Sequence, residues 1–142
     1  MTTPDLSEAL LELIRRTATD LPEDVEEAVR EGRQREAEGS AARSAMDTIL
    51  ENVQLARSNS TPICQDTGTP IFYVDHPVGW SQRELRRQIE GALAEATSRA
   101  YLRPNAVDPV AGKNSGTNVG DGVPTVHFEE WDEPGVRVRL LL

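Results

Sequence analysis

The stretch TPICQDTGTPIFYV, beginning at Thr61, holds the chain's only cysteine, Cys64, followed directly by the amide of Gln65 and the carboxylate of Asp66. Free cysteines are among the most buried residue types, so a packed, inert thiol is one reading. That reading leaves Asp66 unexplained, because a carboxylate near a thiol disfavours the free thiolate. A metal-bound thiolate removes the conflict. The cation holds the sulfur deprotonated, and a soft sulfur ligand suits soft centres, iron–sulfur clusters among them. Gln65 and Asp66 then offer the donors and acceptors to hydrogen-bond a ligand or to orient the groups around a metal. Further along, Arg103 in YLRPN carries the planar fork that grips a carboxylate through two parallel hydrogen bonds; its ordinary alternative is a solvated arginine near a helix end. A third reading makes Cys64 a nucleophile activated by His76 or His127, although such cysteines sit beside a cation or a helix N-terminus rather than a carboxylate.

Elements that could position these residues follow from periodicity. Leu6, Leu10, Leu13 and Ile14 form an apolar stripe after the start signal Thr3-Pro4-Asp5. A second helix starts near Pro22, with acids after it where the helix dipole favours them, and is expected to end at Gly32 or Gly39. From Ser40, the series Ala42, Ala45, Met46, Ile49, Leu50, Val53 and Ala56 predicts a third helix, stopped by RSNSTP. A strand is predicted over Thr69–Val74, broken by DHPVGW. Ser81 and Glu84 form a capping-box pattern ahead of Leu85, Ile89, Ala92, Leu93 and Ala96. From Tyr101 to Pro124 no period is evident, and an irregular stretch of that length is either functional or disordered. TVHFEEW and GVRVRLLL read as two closing strands, paired as a hairpin across DEPG. The expected fold class is α+β: a helical N-terminal layer, then mixed α/β elements, ending in a β-hairpin whose apolar last strand wants a neighbour, as in an incomplete domain.

Composition narrows the function. The 142 residues suffice for one domain, and with 4% aromatic residues its core must rest on Leu, Ile, Val and Ala. A net charge of −9 opposes phosphate backbones and anionic membrane surfaces, so neither nucleic acid nor membrane is an expected partner. One cysteine cannot close an intrachain disulfide, and the N-terminus carries acids where a signal peptide is positive, so a cytoplasmic protein is expected. His76 and His127 are not spaced as a metal-ligand pair, and Trp80 and Trp131 read as core or interface anchors.

ICQDTGTP, with its lead-in AMDTILENVQLARSNST and the later AYLRPNAVDPVAGKNSGTNVGDGVPTVHFEEW, resembles the iron–sulfur-dependent hydro-lyases, the class I fumarate hydratases and L(+)-tartrate dehydratase α-subunits. The resemblance implies that residues 1–142 are the N-terminal portion of an α-type catalytic domain, with a helical lead-in over 1–60 and a site-bearing α/β part over 61–142. It also implies reversible hydration of fumarate to L-malate at an open iron of a [4Fe–4S] cluster. Cys64 matches a cluster ligand, Asp66 takes a catalytic role, and Gln65, Asp66 and Arg103 bind a small dicarboxylate substrate; Asn114 and Thr117 support the later loop. Two further cysteine ligands are absent from this chain, so a missing C-terminal half or a β-type subunit is implied, within a homo-oligomer, and the chain alone is expected to be inactive. The alternatives are a tartrate dehydratase α-subunit and a non-catalytic helical assembly or binding module with a buried Cys64.

Overall fold

A computed structural model describes residues 2–142. In chain order the elements are α1 (Ser7–Thr19), α2 (Glu23–Arg35), α3 (Ala41–Asn59), β1 (Ile71–Pro77), α4 (Gln82–Ser98), β2 (Thr125–Trp131) and β3 (Arg137–Leu141). The α+β expectation holds. α1 and α4 pack together over one face of a three-stranded sheet, and α2 and α3 form a helical hairpin beside α1.

The core is where the stripes of α1 and α4 predict it. The α3 series is largely uncovered: Val53 and Ala56 are buried, but Ala42, Ala45 and Ile49 are exposed because α3 packs beside α2 and away from the sheet. Leu85, Ile89, Ala92, Leu93 and Ala96 of α4 are buried against Leu10 and Ile14 of α1. From the sheet, Phe72, Val126 and Leu140 share one rung, and Val74, Phe128 and Val138 share another; both rungs face this cluster. Gln88, buried on α4, ties the N-terminal segment down: its Oε1 accepts the Leu6 N–H at 2.7 Å and its Nε2 donates to the Pro4 carbonyl at 3.0 Å.

Strand order departs from the sequence expectation. β2 and β3 do not pair as a hairpin; β1 lies between them, parallel to β2 and antiparallel to β3. The strand buried on both faces takes the centre: β1 is covered at Phe72 and Val74 and again at Asp75, His76 and Pro77. The outer strands are then about 10 Å apart, a gap that the connection 132–136 spans. β1 also runs on past Val74, because Asp75 finds Arg137 Nε at 2.7 Å and its charge is neutralised inside the sheet.

Two helix boundaries also move. Gly32 does not end α2. Its missing side chain lets α3 approach instead, since a Cβ there would lie 3.3 Å from Met46 Cε. The capping box of α4 is half formed: Ser81 Oγ accepts the Glu84 N–H at 3.2 Å, but the Ser81 N–H donates to Thr3 Oγ1 at 2.8 Å, and Glu84 turns to Arg87. Charge helps to hold the α2–α3 hairpin to α1, beside the buried Val53 and Ala56 of α3. Arg57 bonds Asp20 at 2.7 Å and Glu26 at 2.5 Å, and Glu26 also pairs with Arg30. The Arg57 hydrogen bond holds the Asp20 carboxyl below its usual range, and the same two carboxylates push the Arg57 guanidinium up.

Candidate functional site

The segment bearing Cys64 has its own anchors. α3 ends at Asn59 with Ser60 in the left-handed region (φ 52°), and the Thr61 N–H closes back on the Ala56 carbonyl at 3.1 Å. The next fixed point is Ile63. Its N–H donates to the Ala18 carbonyl at the end of α1 (3.0 Å), and its own carbonyl accepts Asn52 Nδ2 from α3 (2.8 Å). With both backbone groups of Ile63 held by two different helices, the chain leaves in a set direction and Cys64 follows, exposed. A packed Cys64, the premise of the binding-module reading, is therefore corrected: the two-helix anchor sits one residue too early to bury the thiol.

Beyond Cys64 the backbone turns on a side chain. Asp66 Oδ1 accepts the Gly68 N–H at 3.1 Å, and Gly68 has φ 74°, open to glycine at no steric cost. Thr67 points inward and accepts the Arg103 N–H on Oγ1 at 3.0 Å. From the other side, Asn105 Nδ2 donates to Asp66 Oδ1 at 3.3 Å. Two segments far apart in sequence, CQDTG and LRPN, thus meet through side chain to backbone and side chain to side chain bonds.

Asp66 stands between two cavities. One, of about 300 Å³, is lined by Cys64, Asp66, Thr17, Leu21 and the C-terminal Leu142 among others. The second, of about 390 Å³, is lined by Asp66, Thr69, Asn105, Asn118 and Val123 with their neighbours. Gln65 is exposed and makes no hydrogen bond among the described residues, and the Arg103 guanidinium pairs with no carboxylate among them. The backbone of Arg103 is nonetheless fixed, so a long charged side chain projects from a held point. The structure brings Cys64 and Asp66 to one cavity and ties Arg103 to Asp66 through Thr67 and Asn105; neither cavity is lined by Gln65 or Arg103.

The segment from Tyr101 to Pro124 is ordered by its own polar side chains. Asn114 Nδ2 bonds the Pro104 carbonyl at 2.5 Å while its Oδ1 accepts the Gly116 N–H at 2.7 Å, and Thr117 bonds Ser115 at 3.4 Å. Asp108 accepts the Ala111 and Val110 N–H groups, which hold its carboxyl below the usual carboxylate range. Thr67, Asn105 and Asn118 are the polar contributors that sequence reasoning missed. Asn118 carries one usable signal: an asparagine in a glycine-rich stretch tolerates the left-handed backbone it adopts here, φ 57°.

The nucleophile reading gains no support from geometry. The His76 ring is fully buried, with Nδ1 bonded to the Pro77 carbonyl at 3.0 Å and Nε2 to Gln82 at 3.2 Å. It lies five residues along β1 from Ile71, roughly 17 Å at a strand's rise. His127 is stacked on Tyr73 at 4.9 Å on the opposite face of the sheet from the core.

A [4Fe–4S] cluster is held by several thiolates together. Cys64 is the chain's sole thiol, and among the described residues no group of three His, Cys, Asp or Glu side chains is arranged to hold a metal ion. These residues alone do not fit a whole cluster. An exposed thiol at the wall of a cavity fits one of its corners.

Residues 7–142 match the family model described as fumarate hydratase (fumerase). Over 137 residues the chain is 45% identical to a putative fumarate hydratase class I of Geobacillus stearothermophilus, covering 96% of this chain and 27% of that protein. It is 33% identical over 127 residues to a putative L(+)-tartrate dehydratase subunit alpha of Methanocaldococcus jannaschii, covering 87% of this chain and 44% of the other. Identity is also 33% over 128 residues to the L(+)-tartrate dehydratase subunit alpha of Escherichia coli, with 89% and 41% covered. The chain belongs to the fumarate hydratase (fumerase) family. It spans about a quarter of the length of the first of these relatives and less than half of the other two. No helix among the described residues is long and apolar enough to cross a membrane.

Proposed function

We propose that this chain is the N-terminal portion of the α-type catalytic domain of a cytoplasmic hydro-lyase that interconverts fumarate and L-malate. Residues 1–60 are the helical support and 61–142 the site-bearing part. The observation that carries the reading is the place of Asp66: beside the exposed Cys64, on the wall of two cavities, and bonded to the turn that bears Arg103. In this arrangement Asp66 accepts a hydrogen bond from the substrate hydroxyl and Arg103 grips a carboxylate by its fork. Gln65, exposed next to Asp66, adds a donor and an acceptor at the same rim. Cys64 contributes one thiolate to a [4Fe–4S] cluster. The remaining thiolates and the base for the carbon-bound proton come from protein outside these 142 residues, in a further α-type stretch and a β-type region of an oligomeric enzyme.

A second reading shares the site. Identity to two tartrate dehydratase α-subunits favours a tartrate-type hydroxy acid, which carries the same carboxylates and one more hydroxyl. Steady-state kinetics of the complete, iron-replete enzyme test both. Asp66→Asn is expected to lower kcat by about 10²- to 10⁴-fold with a smaller change in KM, because the interaction strengthens as the C–O bond breaks. Arg103→Lys is expected mainly to raise KM, since a point charge replaces a bidentate fork. Wild-type kcat in Asp66→Asn would remove Asp66 from the site. Turnover of tartrate in preference to malate would move the assignment to the second reading.

A further inference from the structure

Asn118 is 3% exposed, yet it lies in a segment made largely of exposed residues. Its amide is fully used. Oδ1 accepts the Asn105 N–H at 2.8 Å and the Ala106 N–H at 3.1 Å; Nδ2 donates to the Arg103 carbonyl at 2.7 Å and to Thr97 Oγ1 at 3.1 Å. An asparagine side chain has two acceptor sites and two donors, so no capacity is left over. Thr97 belongs to the last turn of α4 and its hydroxyl also bonds the Leu93 carbonyl at 2.8 Å. The amide therefore joins the 103–106 turn to the buried stripe of α4, which Thr97 continues from Leu93.

On its far side the same turn reaches the CQDTG segment: the Arg103 N–H meets Thr67, and the Asn105 side chain meets Asp66. Without Asn118, the 103–106 turn keeps the bonds from Asn114 Nδ2 to the Pro104 carbonyl and from the Ser115 N–H to the Ala106 carbonyl, both from a stretch of exposed residues, together with its bonds to Thr67 and Asp66, and loses its own side-chain tie to α4. Displacement of a binding group by about 1 Å can cost on the order of 100-fold in rate, and a guanidinium on a long side chain magnifies any rotation of its backbone.

We propose that Asn118 is a positioning residue for the Asp66–Arg103 site: it fixes the 103–106 turn against α4 and so sets where the Arg103 guanidinium and the Asn105 amide stand relative to the Asp66 carboxylate. This rests on the reading of Asp66 and Arg103 as substrate-facing groups. It assigns Asn118 no contact with substrate.

Two variants separate positioning from plain stability. Asn118→Gly keeps the left-handed backbone without strain and deletes the amide. Asn118→Asp keeps an acceptor for the Asn105 and Ala106 N–H groups but sets a carboxylate oxygen against the Arg103 carbonyl. In the complete, iron-replete enzyme, Asn118→Gly is expected to raise KM for fumarate by about 10- to 100-fold, with Asn118→Asp between it and wild type. In the 142-residue chain, hydrogen exchange should speed up at the Arg103 amide, whose acceptor is Thr67 and not Asn118. Asp66→Asn and Arg103→Lys run alongside. If they alter the kinetics while both Asn118 variants show wild-type KM and unchanged Arg103 exchange, the positioning role is overturned and the substrate-facing reading stands. If Asp66→Asn and Arg103→Lys leave the kinetics unchanged, both fall. Should Asn118→Gly not accumulate as folded protein, Asn118→Asp decides by the same KM criterion.

Discussion

Phe72 and Leu93 are fully buried among apolar neighbours from α1, α4 and the sheet, whereas Thr67 and Asn118 are buried among backbone amides and carbonyls. The first region is held by burial, which has no direction and tolerates small shifts as long as volume is filled. The second is held by hydrogen bonds, each with a narrow range of distance and angle. The layer of helices and sheet can therefore supply stability while the two loop segments supply placement. Damage to one should be separable from damage to the other.

The largest stability effect is expected at the centre of the first region. Phe72→Ala should lower unfolding free energy by about 3–5 kcal/mol, measured by denaturant titration, since it leaves a cavity facing two helices. In whatever fraction remains folded, the bonds around Asp66 should persist; loss of the Asn105 and Arg103 amide protection at the same denaturant concentration would show that the regions are not separable. Thr67→Val comes next. It keeps the shape and removes the acceptor of the Arg103 N–H, so a loss of about 1–3 kcal/mol is the ceiling, with the change concentrated in exchange at Arg103 instead of in the core amides.

What the sequence revealed follows the same division. The stripe of α4 was legible because apolar residues at helical spacing must be covered, and Leu85, Ile89, Ala92, Leu93 and Ala96 are all buried. Strand order was not legible, since alternation tells which face of a strand is covered and not which strand lies beside it; β1 took the centre on burial that includes Asp75 and His76, residues a local pattern assigns to the surface. Within the site, Cys64, Asp66 and Arg103 stood out by chemical type. Asn105 and Asn118 did not, because asparagine is common in turns and the partners of Asn118 lie up to 21 residues away.

Smaller effects sharpen the contrast at the surface. Glu12 is held at about 2, below its ordinary 4.5, first by the hydrogen bond from Arg15 and then by that from Arg16. A lowered carboxylate stabilises the fold above its unfolded value and stops doing so as pH falls through the folded one. The stability contributed by Glu12 is thus lost between pH 4.5 and about 2, and Glu12→Gln should flatten the stability curve in that window. The side chain is 43% exposed, so the change stays under about 1 kcal/mol. Smallest of all is Thr19→Val. Thr19 Oγ1 is buried with no partner among the described residues, so an apolar side chain of the same shape should leave the melting temperature unchanged or slightly raised. A clear fall would reveal a bond to that hydroxyl.

The central claim is that Cys64 supplies a thiolate to a cluster completed by protein outside this chain. Its most direct test is the iron and acid-labile sulfide content of the complete enzyme after anaerobic reconstitution, for wild type and Cys64→Ser. The expected result is a stoichiometric [4Fe–4S] centre in the wild type and its loss in Cys64→Ser, because cluster retention depends on simultaneous ligation. Full iron and sulfide in Cys64→Ser, with undiminished hydration of fumarate, would contradict it.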